Sequence, residues 1–402
     1  MTYQEALNWM FSQLPMYQRQ GQTAFKKDLT NILAFTEVLE NPHQRFKSIH
    51  VGGTNGKGST SHMIASILQE AGLKVGLYTS PHLKNYTERI RINGQEIERE
   101  YVTDFISKHK IFLETQGLSF FEMTVGLAFN YFADQEVDIA VIEVGLGGRL
   151  DSTNIITPEV SVITNIGYDH MQFLGETLPE IAFEKAGIIK ENVPVIIGER
   201  QEETTPVFTK KAKATNSNIL FASDDHTDYV SVLLGDYQKK NSNIAVKVIQ
   251  MLNLKSVRKD HIENGLKNVV MNTGFKGRWQ ILQQNPKVIC DTAHNKEGLT
   301  YVMRQLLQED FEKLHIVLGV VNDKKLDDVL SFFPKKACYY FCKPEIPRGL
   351  DAVELKKISL QYGLLGEVYD SVSKAYEKAL FEANHDDVIF VGGSTFVVAE
   401  VV

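Results

Sequence analysis

The stretch Ser48–Gly72, SIHVGGTNGKGSTSHMIASILQEAG, constrains the fold more than any other part of the chain. A β-branched run leads into a glycine-rich turn, and an amphipathic helical pattern follows, closed by Gly72. Glycines let backbone N–H groups turn inward without Cβ clashes, the helix N-terminus adds partial positive charge, and Lys57 adds a full one. Ser59 offers a hydroxyl to magnesium. The spacing departs from the common Walker A pattern, because Val51 stands where its first glycine would be and Gly58 separates Lys57 from Ser59. A bare glycine-rich turn would be a weak signal. Its place between strand and helix predicts that Gly53, Thr54, Asn55, Gly56, Lys57, Gly58 and Ser59 cradle the phosphates of ATP.

Strand-length apolar runs recur between helical patterns at FKSIHV, KVGLYTS, VDIAVIEVG, VSVITNIG and VPVIIGE. After about residue 285 the alternation resumes at KVICDTA, KLHIVLGVV, ACYYFCK, LGEVYD and DVIFVGG. This reads as α/β: a P-loop, mostly parallel-sheet ATPase domain over 1–272, then a smaller Rossmann-like doubly wound domain over 285–402. The chain of 402 residues exceeds the usual size of one hydrophobic core, in keeping with two domains. The breakers in MNTGFKGRWQ place a linker at 273–284, and the active site is expected in the cleft between the domains.

A formal charge of −7 and no clustered Lys/Arg stripe argue against a nucleic-acid partner, while leaving room for a small anionic ligand. Cys290, Cys338 and Cys342 suit neither a disulfide framework nor a zinc site and are expected to be reduced, buried fillers. The opening MTYQEALNWMFSQL lacks the basic start and apolar run of a signal peptide, and no segment approaches the roughly 18 apolar residues of a membrane span. A cytoplasmic monomer with no membrane partner is the expectation.

Two further features come from the residues themselves. Glu143 ends the strand VDIAVIEVG, where open α/β sheets bind ligands, and an oxygen donor there suits a hard cation beside ATP. Arg278 ends the linker with a fork of donors matched to phosphate.

The form G-T-N-G-K-G-S is that of the Mur ligase superfamily. Its surroundings, from DLTNIL to GGSTFVVAEV, resemble folylpolyglutamate synthase, including the bacterial bifunctional type that is also a dihydrofolate synthase. The resemblance implies that Ser59, Ser80 in YTSPHL, Glu143 and His170 in NIGYDHMQFLG serve magnesium, in all two ions. It implies that Lys185 in EIAFEKAGIIK is carbamylated and helps hold the second ion. Pro81 and His82 would open a loop over the folate or pteroate group, with Phe121 and Thr124 of SFFEMTVGLAF as its wall.

In the same way, Asn241 of GDYQKKNSNIAV would contact adenine or ribose, although an Asn at a helix start can be only a cap. Arg278 would reach the nucleotide phosphates. Asp291, His294 and Asn295 of KVICDTAHNKEG would serve the nucleotide, the amino acid and the reaction centre, and Ser394 would lie near the glutamate. Three departures stand out: Thr292 where the family more often has Gly, Lys325 closing the Asp323–Lys324 pattern, and a shorter stretch before Gly235.

The implied reaction activates a folate-type carboxylate of dihydropteroate or a reduced folate as an acyl phosphate, which L-glutamate attacks to give an amide, ADP and phosphate. Lys57, Lys185, Asp291 and His294 are the expected catalytic group. The rivals are another Mur-type amide ligase, disfavoured by the short stretch before Gly52, and a nucleotide-binding paralogue without ligase activity.

Overall fold

The computed structural model describes residues 1–12, 28–322 and 326–402, so the Asp323–Lys325 pattern lies outside the described residues. The chain forms two compact units: Met1–Val232 with Gln238–Phe275, and Leu233–Tyr237 with Lys276–Val402.

The first unit is built on eight strands: β1 (Lys47–Gly52), β2 (Val75–Tyr78), β3 (Ile90–Ile92), β4 (Gln95–Glu96), β5 (Ile139–Glu143), β6 (Val160–Ile163), β7 (Val195–Ile197) and β8 (Ile219–Phe221). Their order is β4-β3-β2-β5-β1-β6-β7-β8. β1 pairs in parallel with both β5 and β6, and only β3 and β4 run antiparallel to their neighbours. β5 and β6 are buried along their whole length, which is why they read as unbroken apolar runs. The register Val51↔Glu143 sets the acidic strand end beside the start of the glycine turn.

Helix Lys57–Glu70, expected to be amphipathic, is buried without interruption from Ser59 to Leu68. Two of its polar residues find partners inside: His62 Nδ1 meets Thr273 Oγ1 at 2.8 Å, and Ser66 Oγ donates to Gly265 O at 2.6 Å. Two buried apolar clusters pack on one face of this sheet, since Ile142 and Ile163 lie on the side of β1 that His50 and Gly52 share: Phe35, Phe129 and Phe132 centre one, and Ile163, Ile181, Ile197 and Phe208 the other.

The second unit is a six-stranded sheet of β9 (Gln280–Gln284), β10 (Lys287–Asp291), β11 (Leu314–Leu318), β12 (Cys338–Phe341), β13 (Gly366–Val368) and β14 (Val388–Gly392), in the order β13-β12-β11-β14-β10-β9. All pairs are parallel except β9 with β10. Leu299, Val302 and Leu306, at helical spacing, pack on Ile316, Leu318 and Phe390.

Three expectations are corrected here. Gln280–Gln284, placed in the linker, is an edge strand, and its half-exposed polar sequence hid the pairing. The boundary at Phe275/Lys276 is not the first crossing, because Leu233–Tyr237 already belongs to the second unit. That stretch is held there by Asp236 N donating to Gln305 Oε1 at 2.7 Å and Gln305 Nε2 donating to Leu234 O at 3.2 Å. Cys338 is exposed rather than buried, although all three cysteines are free as expected. Among the described residues no helix is long and apolar enough to cross a membrane.

Candidate functional site

The glycine turn is a braced loop. Gly53 has φ +135°, and a Cβ there would stand 1.9 Å from Thr164 Oγ1; Gly56, at φ +85°, would set one 2.3 Å from Asn241 Oδ1. Only glycine satisfies both the backbone angle and the space. The residues leaving β6 hold the loop from the side: Thr54 N donates to Asn165 O and Asn55 N to Asn165 Oδ1, each at 2.9 Å, while Thr164 Oγ1 donates to Asn55 O at 2.6 Å. Gly167 N donates to Thr54 Oγ1 at 3.0 Å. A loop so tied loses little further entropy on binding an anion. Helix Lys57–Glu70 starts there, and its first-turn amides have no preceding carbonyl to pair with.

Beside the loop lies a small, partly open pocket lined by Gly53, Thr54, Lys57, Val144 to Gly147, Asp169, His170 and Lys185. Lys57 Nζ folds back to donate to Gly53 O and Thr54 O, both at 3.1 Å. Lys185 Nζ, buried at the end of helix Leu178–Ala186, donates to the same Gly53 O at 2.9 Å. Two cations thus converge on one carbonyl. Burial first, then the charge of Lys57, pulls the Lys185 amine down to about 7, with Asp169 and Asp151 opposing. His170 takes a left-handed backbone, φ +52°, and its N–H donates to Asp169 Oδ1 at 3.0 Å. Asp169 escaped the sequence reading although it directly precedes His170; its signal was a carboxylate after a buried strand.

Glu143 is 4% exposed. Its Oε2 accepts the Ser80 N–H at 3.0 Å, and a Cβ on Gly58 would lie 3.7 Å from Oε1, so the carboxylate faces the first turn of the phosphate helix. A buried carboxylate at this strand end offers a hard oxygen to a bound cation. Ser80, Glu143 and the Ser59 hydroxyl form a hard-oxygen set that fits magnesium. Among the described residues no three His, Cys, Asp or Glu side chains gather as an all-protein metal site. A site completed by phosphate oxygens does not need one. Lys185 fits a cation only if its amine becomes an anionic oxygen donor.

The loop Gly145–Gly147 is set by Asp151, a second residue the sequence reading passed over. Its Oδ2 accepts Leu146 N at 2.8 Å, and its Oδ1 accepts Thr153 N at 3.0 Å. Gly145 passes so close to the Phe121 ring that a Cβ there would stand 2.3 Å from Cζ. Phe121 therefore borders the pocket-lining loop. Thr124 does not: it is wholly buried, accepting Tyr86 Oη–H at 3.2 Å and donating to Phe120 O at 2.7 Å. Its place as a substrate wall is corrected to an internal brace, because its helix position faces the core. His82, beyond Pro81, accepts Arg89 Nε–H at Nδ1, at 2.7 Å.

In the first unit, Asn241 is the fourth residue of helix Gln238–Leu252 rather than its cap, and its Nδ2 donates to Gln238 Oε1 at 2.8 Å. In the second, Asp291 is 1% exposed and fully engaged by its own chain. Oδ2 accepts Tyr237 Oη–H at 2.5 Å and Trp279 N–H at 2.7 Å, and Oδ1 accepts Ala293 N–H at 2.7 Å. The Trp279 bond fixes the chain directly after Arg278, whose charge opposes the rise that burial imposes on the Asp291 carboxyl. Asn295 Oδ1 accepts Gly298 N–H, and Ser394 Oγ accepts Val397 N–H, so both cap helices. His294 Nδ1 lies 3.0 Å from Thr292 O, which makes Nδ1 the protonated nitrogen.

The Asp291 geometry makes a direct prediction. In Asp291→Asn one of the three N–H or O–H donors would face an amide NH₂ instead of an oxygen. The variant is expected to lose about 3 kcal/mol of stability in denaturant unfolding. A variant as stable as the parent would show that this carboxylate does not organise its unit.

Residues 51–266 match the Mur ligase middle domain, and residues 277–395 match the Mur ligase glutamate ligase domain. A probable bifunctional folylpolyglutamate synthase/dihydropteroate synthase of Haloferax volcanii is 32% identical over 431 residues; the match covers 100% of this chain but 50% of that protein, so the chain spans about half its length. The dihydrofolate synthase/folylpolyglutamate synthase of Bacillus subtilis is 30% identical over 433 residues, covering 99% of this chain and 98% of its own. The solved structure of the bifunctional folylpolyglutamate synthase/dihydrofolate synthase of Yersinia pestis, complexed with AMPPNP and Mn ion, superposes with a TM-score of 0.84 at 28% identity, covering 100% of this chain and 97% of that one. With both Mur domains matched in order and a full-length relative at this identity, the chain belongs to the folylpolyglutamate synthase/dihydrofolate synthase family of Mur ligases.

Proposed function

We propose that this protein uses ATP to join L-glutamate to a folate-type carboxylate, as a folylpolyglutamate synthase and also as a dihydrofolate synthase acting on dihydropteroate. The observation that carries the reading is the braced loop with Lys57 and Lys185 converging on Gly53 O, bordered by the buried Glu143.

The γ-phosphoryl group passes to the substrate carboxylate, giving an acyl phosphate and ADP. The glutamate amine then attacks the acyl carbon, and the tetrahedral intermediate collapses to amide and phosphate. Magnesium, when bound, neutralises charge on the transferring group. Ser59, Ser80 and Glu143 would hold one ion, and His170 with a carbamylated Lys185 a second. The first-turn amides and Lys57 hold the phosphates, and Asn241 holds the adenine or ribose. No protein nucleophile is needed. Pro81, His82 and Phe121 face the folate-type substrate, and His294 serves the incoming amino acid, on a segment that Asp291, Asn295 and Ser394 keep in shape.

An amine lowered to about 7 exists in substantial part as the free base at neutral pH. Its nitrogen lone pair attacks carbon dioxide, the proton leaves to solvent, and an anionic carbamate remains. Such a product turns the Lys185 cation into the oxygen donor the metal reading requires. The chain is proposed to work as a cytoplasmic monomer.

The reading is tested with purified protein, Mg-ATP and L-glutamate, offered dihydropteroate or a reduced folate monoglutamate, with ADP and product mass recorded. ADP release that depends on both carboxylate and glutamate is expected with each substrate. Release with only one would remove the other activity, and release with neither would leave a nucleotide-binding paralogue.

A further inference from the structure

The amide of Gln238 bridges two residues that the ATP reading assigns to opposite ends of the nucleotide. Gln238 opens helix Gln238–Leu252 and is 1% exposed. Its Nε2 donates to Ser59 Oγ at 3.1 Å, and its Oε1 accepts Asn241 Nδ2–H at 2.8 Å. The Asn241 bond fixes which way the Gln238 amide points, since only its oxygen can receive that N–H. The nitrogen is thereby committed to Ser59.

A serine hydroxyl has one proton and two lone pairs. The Gln238 N–H occupies one lone pair of Ser59, and among the described residues this is the one hydrogen bond that hydroxyl makes. One lone pair and the proton remain. A magnesium ligand needs that lone pair, and a phosphate oxygen can take the proton. Were the amide reversed, its oxygen would draw the Ser59 proton toward the protein and turn the hydroxyl from the loop. Mutating a residue that orients a metal ligand from behind typically costs about 10–100-fold in metal affinity.

We infer that Gln238 is a positioning residue that orients the Ser59 hydroxyl for the magnesium ion of the bound nucleotide, and holds Asn241 with the other end of the same amide. The inference rests on the ATP and magnesium reading of this site. It adds a residue 179 positions from Ser59 in sequence to the machinery of the metal.

The test is ADP binding by calorimetry on the full chain, in excess magnesium and again in EDTA, with the ratio of the two dissociation constants as the readout. The parent is expected to bind more tightly with magnesium. Gln238→Met, close in shape but without hydrogen-bonding atoms, is expected to reduce that magnesium-dependent gain about tenfold. In a Ser59→Ala background, Gln238→Met should lower the ratio no further, because the effect runs through that hydroxyl. Gln238→Leu replaces Gln238→Met if thermal unfolding shows the latter to be misfolded.

A Gln238 variant with the parental ratio overturns the inference. So does a further drop in the double variant. A parent that gains nothing from magnesium overturns the ATP and magnesium reading instead, so the two failures are distinguishable.

Discussion

Lys57→Met is expected to lower kcat/KM for carboxylate-dependent ADP release by about a thousandfold, or about 4 kcal/mol of transition-state stabilisation. The Lys57 ammonium lies over the loop where phosphate charge would shift during transfer, at 3.1 Å from both Gly53 O and Thr54 O. Partly buried, such a group is screened less than one in bulk water. Methionine retains most of the apolar stem, so the unliganded variant should keep its thermal unfolding midpoint. It should also relieve Lys185, whose amine is pushed down in part by the Lys57 charge. Activity within tenfold of the parent would remove Lys57 from the phosphoryl-transfer step.

Lys185 carries the second large effect, and it appears in stability as a function of pH. The amine sits near 7 in the fold and near 10.4 in an unfolded chain. Below pH 7 both states are protonated, and the cost of the buried charge is fully present, on the order of 4 kcal/mol. Between about pH 7 and pH 10 the unfolded chain holds more protons, so the folded state gains stability as pH rises. Above that window the cost is gone.

Chemical unfolding without bicarbonate should therefore show a positive slope in this window that Lys185→Met lacks. Parallel profiles for parent and variant would place the amine at its ordinary value. With bicarbonate present, mild mass spectrometry of the parent should show an added mass of one carbon dioxide, and Lys185→Met should show none.

Much of this was legible because it is local. Gly53 to Ser59 is one contiguous turn whose glycines, lysine and serine lie within a few residues of one another, and ten strands announced themselves as apolar runs. Glu143 could be read as a strand-end carboxylate for the same reason. The strands that escaped, Ile90–Ile92, Gln95–Glu96, Ile219–Phe221 and Gln280–Gln284, are short or half-exposed elements towards the sheet edges. Period-two patterning has too few residues there to rise above turn chemistry.

By itself, the sequence determined the α/β class, the phosphate loop, the strand-end acid and the ligase family, since periodicity, turn chemistry and motif order are properties of neighbouring residues. Only the tertiary structure decided which side chains converge. Thr164 reaches Asn55 across 109 positions, Gln238 reaches Ser59 across 179, and Lys185 reaches Gly53 across 132. It also turned Thr124 into an internal brace and Asp291 into the fixed point of its unit. Hydrogen-bond partners and desolvation depend on what folding brings together in space, and a lysine becomes a weak base only when its water is removed and another cation stands beside it.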